Sequence, residues 1–233
     1  MSLPIIFEDN HLIAVNKPAG VLVHADATED RTLEDYVKHY IKVRYKKPGD
    51  VFLGTIHRID RPVSGVVVFA RTSKALTRMN KLFQERQIEK TYWAITRERP
   101  PALSGKLEHY IYKDRDKNTS KAFDDFSSRA KANKAKKSEL TYKVVAGANN
   151  RTVLEIKPKT GRPHQIRVQL QKIGCPIVGD LRYGYPSPLH DASIALHSRS
   201  LSFIHPVKKE PIIITAKPPN IQEWRQFKEP LNF

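Results

Sequence analysis

The chain has 233 residues, enough for one sizeable hydrophobic core, and its 41 lysine and arginine residues against 24 aspartate and glutamate residues give a net charge of +17. An excess of positive charge indicates a polyanionic partner. Nucleic acid fits better than a membrane, because no apolar stretch approaches the roughly 20 residues of a spanning helix. A generally basic protein without such a partner is the alternative.

The first ten residues, MSLPIIFEDN, contain no basic segment followed by a long apolar stretch. We therefore expect no secretory signal and a cytoplasmic protein. The single cysteine, Cys175, cannot form an internal disulfide, and no cluster of cysteine and histidine has the spacing of a zinc site. We therefore expect no structural metal.

Hydrophobic periodicity and turn residues predict strands and helices along most of the chain. In chain order we expect a hairpin with strands at 4–7 and 12–15, a helix capped by Thr32, strands near 51–56 and at 66–70, a helix capped by Ser73, strands at 90–97 and 106–112, a hairpin turning at Asn149 and Asn150, a helix from Pro163 to about Ile173, strands at 194–205 and 211–216, and a short C-terminal helix anchored by Trp224 and Phe227. This order indicates a single α+β domain with a mixed sheet.

The segment from Lys113 to Lys137 interrupts these patterns. It contains nine lysine or arginine residues, four aspartates and many small polar residues, with no apolar periodicity beyond Phe123 and Phe126. We expect a mobile basic loop here. It is either a solubilising insertion or an arm that contacts phosphates and becomes ordered on binding.

Asp60 is the first candidate for chemistry, because it lies on a loop between two predicted core strands with Arg58 and Arg61 beside it in sequence. An opposite charge nearby favours the ionised form of a carboxylate. This aspartate could therefore act as a nucleophile, but it would be a poor proton donor. The alternative is a structural ion pair between neighbouring side chains.

The segment KTGRPHQIRVQL, residues 159–170, is the second candidate. If a helix begins at Pro163, then His164, Arg167 and Gln171 project from one face and can present a guanidinium there. The N-terminus of that helix would add backbone N–H donors for a phosphate or a carboxylate. A surface helix that is merely basic is the alternative.

Tyr92 is the third candidate, at an alternating position in the predicted strand KTYWA. A tyrosine in a strand usually belongs to a hydrophobic core. A neighbouring nucleobase would instead give the ring a partner on which to stack.

Five segments in sequence order resemble the RluA family of RNA pseudouridine synthases: HRIDRPVSGVVVFA, KTYWAI, KPKTGRPHQIRVQL, PIVGDLRYG and LHSRSLSFIHP. The resemblance covers about residues 7–216, and the form HRIDRP is similar to the tRNA-modifying TruC branch. It implies the pseudouridine-synthase fold, a mixed and largely antiparallel sheet with flanking helices and a central catalytic cleft. It also implies isomerisation of uridine in tRNA or rRNA without a cofactor, and we expect a monomer.

The resemblance implies a role for each candidate residue. Asp60 matches the catalytic nucleophile, Tyr92 matches the residue that stacks on the target base, and Arg167 matches the arginine that pairs with the nucleophile. Arg58 is expected to fill the gap left when the target nucleotide flips out of its stack. Four further residues of the same segments are expected to bind the substrate: His57, Arg61, Arg162 and His164.

Two departures from the family accompany this resemblance. Val63 stands where many relatives have threonine, so a hydrogen bond from that hydroxyl is not expected here. The synthase pattern begins within the first ten residues, so we expect no RNA-binding S4 domain ahead of it. The synthase domain itself would then have to bind the RNA.

Two rival functions stay open. A catalytically silent RNA-binding or chaperone protein could use the same fold, although phosphate binding alone does not need an aspartate. An RNA-cleaving enzyme could use His57 or His164 as general acid and base. The rival functions make different predictions for Asp60, because only the isomerase requires its carboxylate.

Overall fold

The computed structural model describes residues 3–25 and 30–233, so the first two residues of the chain lie outside the described part. Packing groups the chain into two compact units. The first comprises Met1–Lys90 and Ser198–Pro219, and the second comprises Thr91–His197 and Asn220–Phe233. These units describe packing, and a single catalytic domain over residues 1–233 stays a prediction.

The first unit contains six strands and two helices among its described residues. They are β1 (Ile5–Glu8), β2 (Leu12–Lys17), α1 (Leu33–Arg44), β3 (Gly54–Thr55), β4 (Ser64–Ala70), α2 (Ser73–Gln84), most of β10 (Leu196–Ile204) and β11 (Pro211–Thr215). The strand order is β1-β2-β4, with β3 also paired to β4 and with β11 paired to β10. The strand predicted near 51–56 is therefore only two residues long.

The second unit contains the other elements. They are most of β5 (Glu89–Thr96), β6 (Ser104–Asp114), β7 (Thr119–Phe123), α3 (Ser128–Ala132), β8 (Lys136–Ala148), β9 (Arg151–Pro158), α4 (Gln165–Lys172), α5 (Gln222–Arg225) and α6 (Lys228–Leu231). The strand order is β5-β9-β8-β6-β7, and each of these pairs is antiparallel. The predicted α+β class with a largely antiparallel sheet is confirmed. Within the described ranges, no helix has the length and apolar character needed to span a membrane.

Both predicted hairpins are confirmed. In the β1–β2 hairpin, the Asp9 carboxylate accepts hydrogen bonds from the backbone N–H groups of His11 and Leu12, both at 2.8 Å. In the β8–β9 hairpin, Asn149 and Asn150 have φ angles of 49° and 55°. Asparagine tolerates this left-handed conformation, which a two-residue hairpin turn of the type I′ kind requires at both positions.

The helix caps of the first unit are as predicted to within one residue. At the start of α1, the Thr32 hydroxyl accepts from the backbone N–H of Asp35, and the Asp35 carboxylate accepts from the backbone N–H of Thr32. At the start of α2 the cap is Thr72 and not Ser73. Thr72 has an extended backbone and accepts from the N–H of Ala75, whereas Ser73 already lies in the helix.

Strand β4 forms the centre of the core of the first unit, since all seven of its residues are buried. Its side chains pack with residues of β2, α2, β10 and β11, including Leu12, Ala14, Met79, Leu201, Phe203 and Ile214. Gly65 has a φ angle of 116°, and a Cβ atom there would lie 2.2 Å from the carbonyl oxygen of Ser198. Only glycine fits this position, which fixes where the Asp60 loop joins the sheet.

The prediction of a loop over Lys113–Lys137 is wrong, while its mobility stays a prediction. Strand β6 continues to Asp114, β7 pairs with it, and α3 follows before β8 begins. The buried side chains of this segment are small, Ser120, Ala130 and Ala135, so they give no apolar periodicity in the sequence. Backbone hydrogen bonds, which are independent of side-chain type, hold the hairpin together.

The prediction that two buried aromatic residues anchor the C-terminal segment is confirmed. Trp224 and Phe227 are 1% and 0% exposed, in and just after α5. The expected single helix is divided into the short helices α5 and α6.

Candidate active site

The loop that carries Asp60 runs from β3 to β4 and is pinned along its length. The backbone carbonyl of Asp60 accepts from the N–H of Val63 at 3.0 Å. The neighbouring Arg61 bonds Gly20 twice, because its backbone carbonyl accepts from the Gly20 N–H at 2.8 Å and its Nε donates to the Gly20 carbonyl at 2.9 Å. Its Nη2 lies 2.9 Å from an Asp30 carboxylate oxygen. Arg61 therefore has a structural role, and its contact with substrate stays a prediction.

Lys17 is a buried cation beside Asp60 that the sequence analysis missed. Its side chain has no exposed surface, and Nζ donates to the carbonyl oxygens of Pro18, Val21 and Arg61 at 3.0, 2.8 and 3.1 Å. Burial lowers the pKa of Lys17 to about 7, while the Asp60 carboxylate opposes this change by favouring the charged form. Lysines are seldom fully buried, so the residue type alone gave no signal.

His57 is half-buried and lies next to the buried strand β4. Its Nε2 accepts from the backbone N–H of Val68 at 3.0 Å, and its ring stacks on Phe83 with 5.2 Å between the centroids. Burial, together with the positive charge of Lys90, lowers the pKa of His57 to about 4. The imidazole is therefore neutral at pH 7 and serves as a hydrogen-bond acceptor, which disfavours it as a general acid.

Arg58, the residue between His57 and Ile59, has an exposed side chain. An exposed guanidinium is available to a polyanion, which agrees with the predicted contact with RNA. Its entry into the gap left by a flipped nucleotide stays a prediction.

Tyr92 occupies β5, where it pairs with Ile156 of β9 and is half-buried. The next residue, Trp93, is 7% exposed and belongs to the core of the second unit. Successive side chains of a strand point to opposite faces, so Tyr92 and Trp93 lie on different faces of the sheet. The predicted stacking of Tyr92 on the target base stays a prediction.

Arg167 is buried in α4 and forms a two-point ion pair. Its Nε and Nη2 lie 2.7 and 2.8 Å from the two carboxylate oxygens of Asp180, and both side chains are at most 5% exposed. The guanidinium also lies 4.9 Å from the centroid of the Tyr183 ring. This pair uses two of the five N–H donors of an arginine. The expected pairing of Arg167 with Asp60 stays a prediction.

The start of α4 differs from the prediction. The helix begins at Gln165, and His164 precedes it in the left-handed conformation with φ 53°. The Gln165 side-chain oxygen accepts from the backbone N–H of Arg162 at 3.0 Å, which turns the chain before Pro163 can enter the helix. His164, Arg167 and Gln171 therefore do not share one exposed helical face, because Arg167 is buried and Gln171 is exposed.

His164 and Arg162 lie at this helix start with partners inside the second unit. His164 Nδ1 is 2.8 Å from the Tyr183 hydroxyl, which accepts from the backbone N–H of Ser120 at 2.7 Å. Arg162 is half-buried. These contacts connect α4 to the β6–β7 hairpin, and the expected contacts of both residues with substrate stay predictions.

The described residues contain no group of three or more histidine, cysteine, aspartate and glutamate side chains arranged to hold a metal ion. The charged groups at hand are one carboxylate with a buried ammonium in the first unit, and a buried guanidinium with its own carboxylate in the second. These groups suit acid–base or nucleophilic chemistry on a polyanionic substrate.

Residues 11–172 match the family described as RNA pseudouridylate synthase. The chain is 31% identical to tRNA pseudouridine synthase C of Vibrio parahaemolyticus over 93% of its own length and 90% of the relative. It is also 31% identical to ribosomal large subunit pseudouridine synthase D of Zymomonas mobilis, over 93% of its length and 69% of the relative. A solved structure of human RNA pseudouridylate synthase domain containing 4 superposes with a TM-score of 0.77 at 25% identity, covering 98% of this chain and 93% of that one.

The chain therefore belongs to the RNA pseudouridylate synthase family, as its five sequence segments indicated. It is an isomerase that converts uridine in RNA to pseudouridine.

Proposed function

We propose that Asp60 is the nucleophile of this isomerisation. The observation that supports the proposal is the construction of its loop, which Arg61 pins at Gly20 and Asp30 and which sets the buried Lys17 ammonium beside the carboxylate. A positive charge nearby keeps a carboxylate ionised, as a nucleophile requires. Attack at the sugar C1′ and addition at uracil C6 are both within the reach of such a group.

The reaction breaks the N1–C1′ bond of uridine and forms a C5–C1′ bond, so C5 loses a proton and N1 gains one. No electron or chemical group is added, and we propose that no cofactor takes part. In this proposal Tyr92 stacks on the detached uracil while it turns, and Arg167 pairs with the Asp60 carboxylate. A cleft that excludes water would protect the detached base from loss by hydrolysis.

We further propose that the substrate is structured RNA, either tRNA or rRNA, because the similar relatives are named for both. Extraction of a nucleotide from its stack costs a few kcal/mol, which contacts of basic residues with the phosphates can offset. The exposed Arg58 is the proposed residue that occupies the gap, and His57, Arg61, Arg162 and His164 are proposed to support substrate binding. The protein is proposed to act as a monomer in the cytoplasm.

Release of tritium from RNA labelled at uracil C5 tests this function. Wild-type protein is expected to release tritium from total tRNA or total rRNA, and Asp60→Asn is expected to release none while it keeps the wild-type melting temperature. Asp50→Asn, a change of the same kind at an exposed position, is the matched control and should remain active. Release by Asp60→Asn at the wild-type rate would remove Asp60 from the mechanism.

The same samples distinguish the rival functions. A silent RNA-binding protein would release no tritium from either pool, and an RNA-cleaving enzyme would shorten the RNA strands. Intact strands that contain pseudouridine are the expected result. Chemical mapping of pseudouridine in RNA from a deletion strain would then identify the modified position.

A further inference from the structure

The C-terminal end of α1 carries a dense group of positive charges on the first unit. Four basic residues lie within six consecutive positions, and all are exposed: Lys42, Arg44, Lys46 and Lys47. The nearest carboxylate oxygen to Arg44 belongs to Glu8, at 3.8 Å from Nε. The three lysines have no ion pair with any residue that the structure describes. We call these four residues, with Tyr45, the α1 patch.

The Tyr45 ring lies among these charges and is 43% exposed, and Phe52, five residues after Lys47, is 49% exposed. The Tyr45 ring is held in place, because its hydroxyl donates to the Glu8 carboxylate at 2.8 Å and the Arg71 guanidinium lies 4.7 Å from its centroid. Aromatic rings between cations suit nucleic acid, where a base or ribose can pack on the ring while the cations contact phosphates.

The backbone at Lys46 is a second and independent observation. Lys46 has a φ angle of 48°, and α1 ends there with the N–H of Lys47 bonded to the carbonyl of Lys42 at 3.0 Å. Glycine is the residue that usually occupies such a left-handed helix end, since a side chain strains the backbone. A lysine at this position keeps a positive charge where glycine would fit the backbone better.

The opposite end of α1 is bonded to β3, the strand that directly precedes the Asp60 loop, and to the segment that follows β2. The backbone N–H of Leu33 donates to the carbonyl of Leu22 at 2.7 Å, and Glu34 accepts from the Thr55 hydroxyl at 3.1 Å, just ahead of the loop. A helix of 12 residues is about 18 Å long. The α1 patch therefore lies at the far end of a rigid spacer that begins near the proposed nucleophile.

We propose that the α1 patch binds the phosphate backbone of the RNA substrate at a stretch remote from the target uridine. This inference rests on the proposed function, because it requires structured RNA bound at the Asp60 loop. Along a duplex, about 18 Å corresponds to roughly five base-pair steps. Recognition would then extend from the target nucleotide into the flanking stem.

An anionic membrane is the less suitable partner for this patch. A helix that lies on a membrane must insert its apolar face, and the apolar residues of α1, Leu33, Val37 and Ile41, are buried inside the first unit. RNA needs only the exposed cations and rings, and the reaction itself brings RNA to this unit.

The test compares two variants with the same change of net charge. The patch variant carries Lys42→Gln, Lys46→Gln and Lys47→Gln, and the control variant carries Lys74→Gln, Lys81→Gln and Lys209→Gln at exposed positions of the same unit. Dissociation constants for total tRNA and total rRNA are measured at several salt concentrations. The patch variant is expected to bind roughly tenfold more weakly at 0.1 M salt, with a slope of log affinity against log salt reduced by about 2. Equal affinities and slopes in the two variants would overturn the proposal.

A second readout separates remote binding from chemistry. At saturating RNA the patch variant is expected to release tritium at the wild-type kcat with a raised KM. With a stem-loop whose stem is too short to reach the α1 patch, wild type and the patch variant should have the same KM. Loss of binding to phosphatidylserine vesicles with unchanged RNA binding would overturn the proposal in favour of a membrane. If wild-type protein releases no tritium, the proposed function fails, and the affinity measurements still judge the patch independently.

The single variant Lys46→Gly tests the backbone argument. Glycine relieves the left-handed strain, so the melting temperature is expected to stay the same or rise while RNA affinity falls about threefold. A lower melting temperature with unchanged affinity would show that Lys46 serves the helix end alone, and it would overturn this part of the proposal.

Discussion

A buried cation lies beside the Asp60 loop and another lies near the start of α4, but the two are stabilised differently. Three backbone carbonyls accept from the Lys17 ammonium, whereas one carboxylate forms a two-point pair with the Arg167 guanidinium. Carbonyl dipoles leave the net charge of the ammonium in place, and a carboxylate cancels that of the guanidinium. The loop therefore keeps a titratable cation beside Asp60, while α4 keeps a cation whose charge does not change near neutral pH.

Removal of Asp180 is expected to have the largest effect, because it takes away the carboxylate that forms the two-point pair with the buried Arg167 guanidinium. Asp180→Ala should lower the free energy of unfolding by about 3 to 5 kcal/mol, measured by urea denaturation. The double variant Asp180→Leu with Arg167→Met should recover most of this loss, since it removes both charges, but it should not isomerise uridine. A loss below about 1 kcal/mol in Asp180→Ala would contradict the description of this pair as a buried one.

His57 extends the comparison to a half-buried base that stays neutral. Burial lowers its pKa from 6.5 to about 4, so between these pH values the unfolded chain binds a proton that the folded chain does not. Stability should therefore fall as the pH drops from 6.5 to 4, by at most about 3 kcal/mol through this residue. In His57→Gln the urea midpoint should fall less over this range than in wild type.

The exposed His39 provides the control for this measurement. His39→Gln should retain the full wild-type loss of stability in acid. If His57→Gln and wild type lose stability equally, then His57 is not the half-buried neutral group that its contacts indicate.

Lys17 should show a pH dependence of the same sign, but in an alkaline window. Its pKa is about 7 in the folded chain and 10.5 ordinarily, so between these values the unfolded chain holds a proton that the folded chain has lost. Stability should then rise with pH in this window, by at most about 1.4 kcal/mol per pH unit. Lys17→Met, measured between pH 7 and 8.5, should lack this rise, whereas the exposed control Lys74→Met should keep it. If the stability of Lys17→Met rises with pH as much as that of wild type, then other groups cause the pH dependence.

Removal of the exposed cations of residues 113–137 should have the smallest effect on stability, because each of these side chains is solvated in the free protein. Changing Lys117, Lys121, Lys131 and Lys134 to glutamine should weaken binding to all RNA by about tenfold and flatten its salt dependence. Stability should change by less than about 0.5 kcal/mol. Unchanged affinity and slope, measured beside the Lys74, Lys81 and Lys209 control, would reduce this segment to a spacer.

The sequence predicted most of the fold where turn residues and apolar periodicity agree. The capping pair Thr32 and Asp35 and the turn at Asn149 and Asn150 are local signals, and each is confirmed. The prediction failed for residues 113–137, where small residues are buried and backbone pairing decides the structure. The prediction also failed at Pro163, which it placed in α4. The hydrogen bond from the Arg162 backbone N–H to the Gln165 side chain precedes the helix there, and residue types alone do not reveal this bond.

The candidate site was less predictable from local sequence patterns than the fold. Resemblance to a known family selected Asp60, Tyr92 and Arg167, which local chemistry alone could not separate from ordinary ion pairs and core residues. Neither route found Lys17, whose importance comes from complete burial, a property that depends on the folded chain. Nor did composition show that Arg61 would bind Gly20 and Asp30 within the same unit.

The burial of Cys175 has a practical consequence. It is the one cysteine of the sequence, it is 1% exposed, and burial raises the pKa of its thiol. A thiol of this kind reacts slowly with maleimides and other labelling reagents. A cysteine introduced at an exposed position outside the α1 patch, such as Lys74→Cys, would therefore accept a fluorophore or spin label selectively. The native chain needs no prior removal of thiols for distance measurements on its complex with RNA.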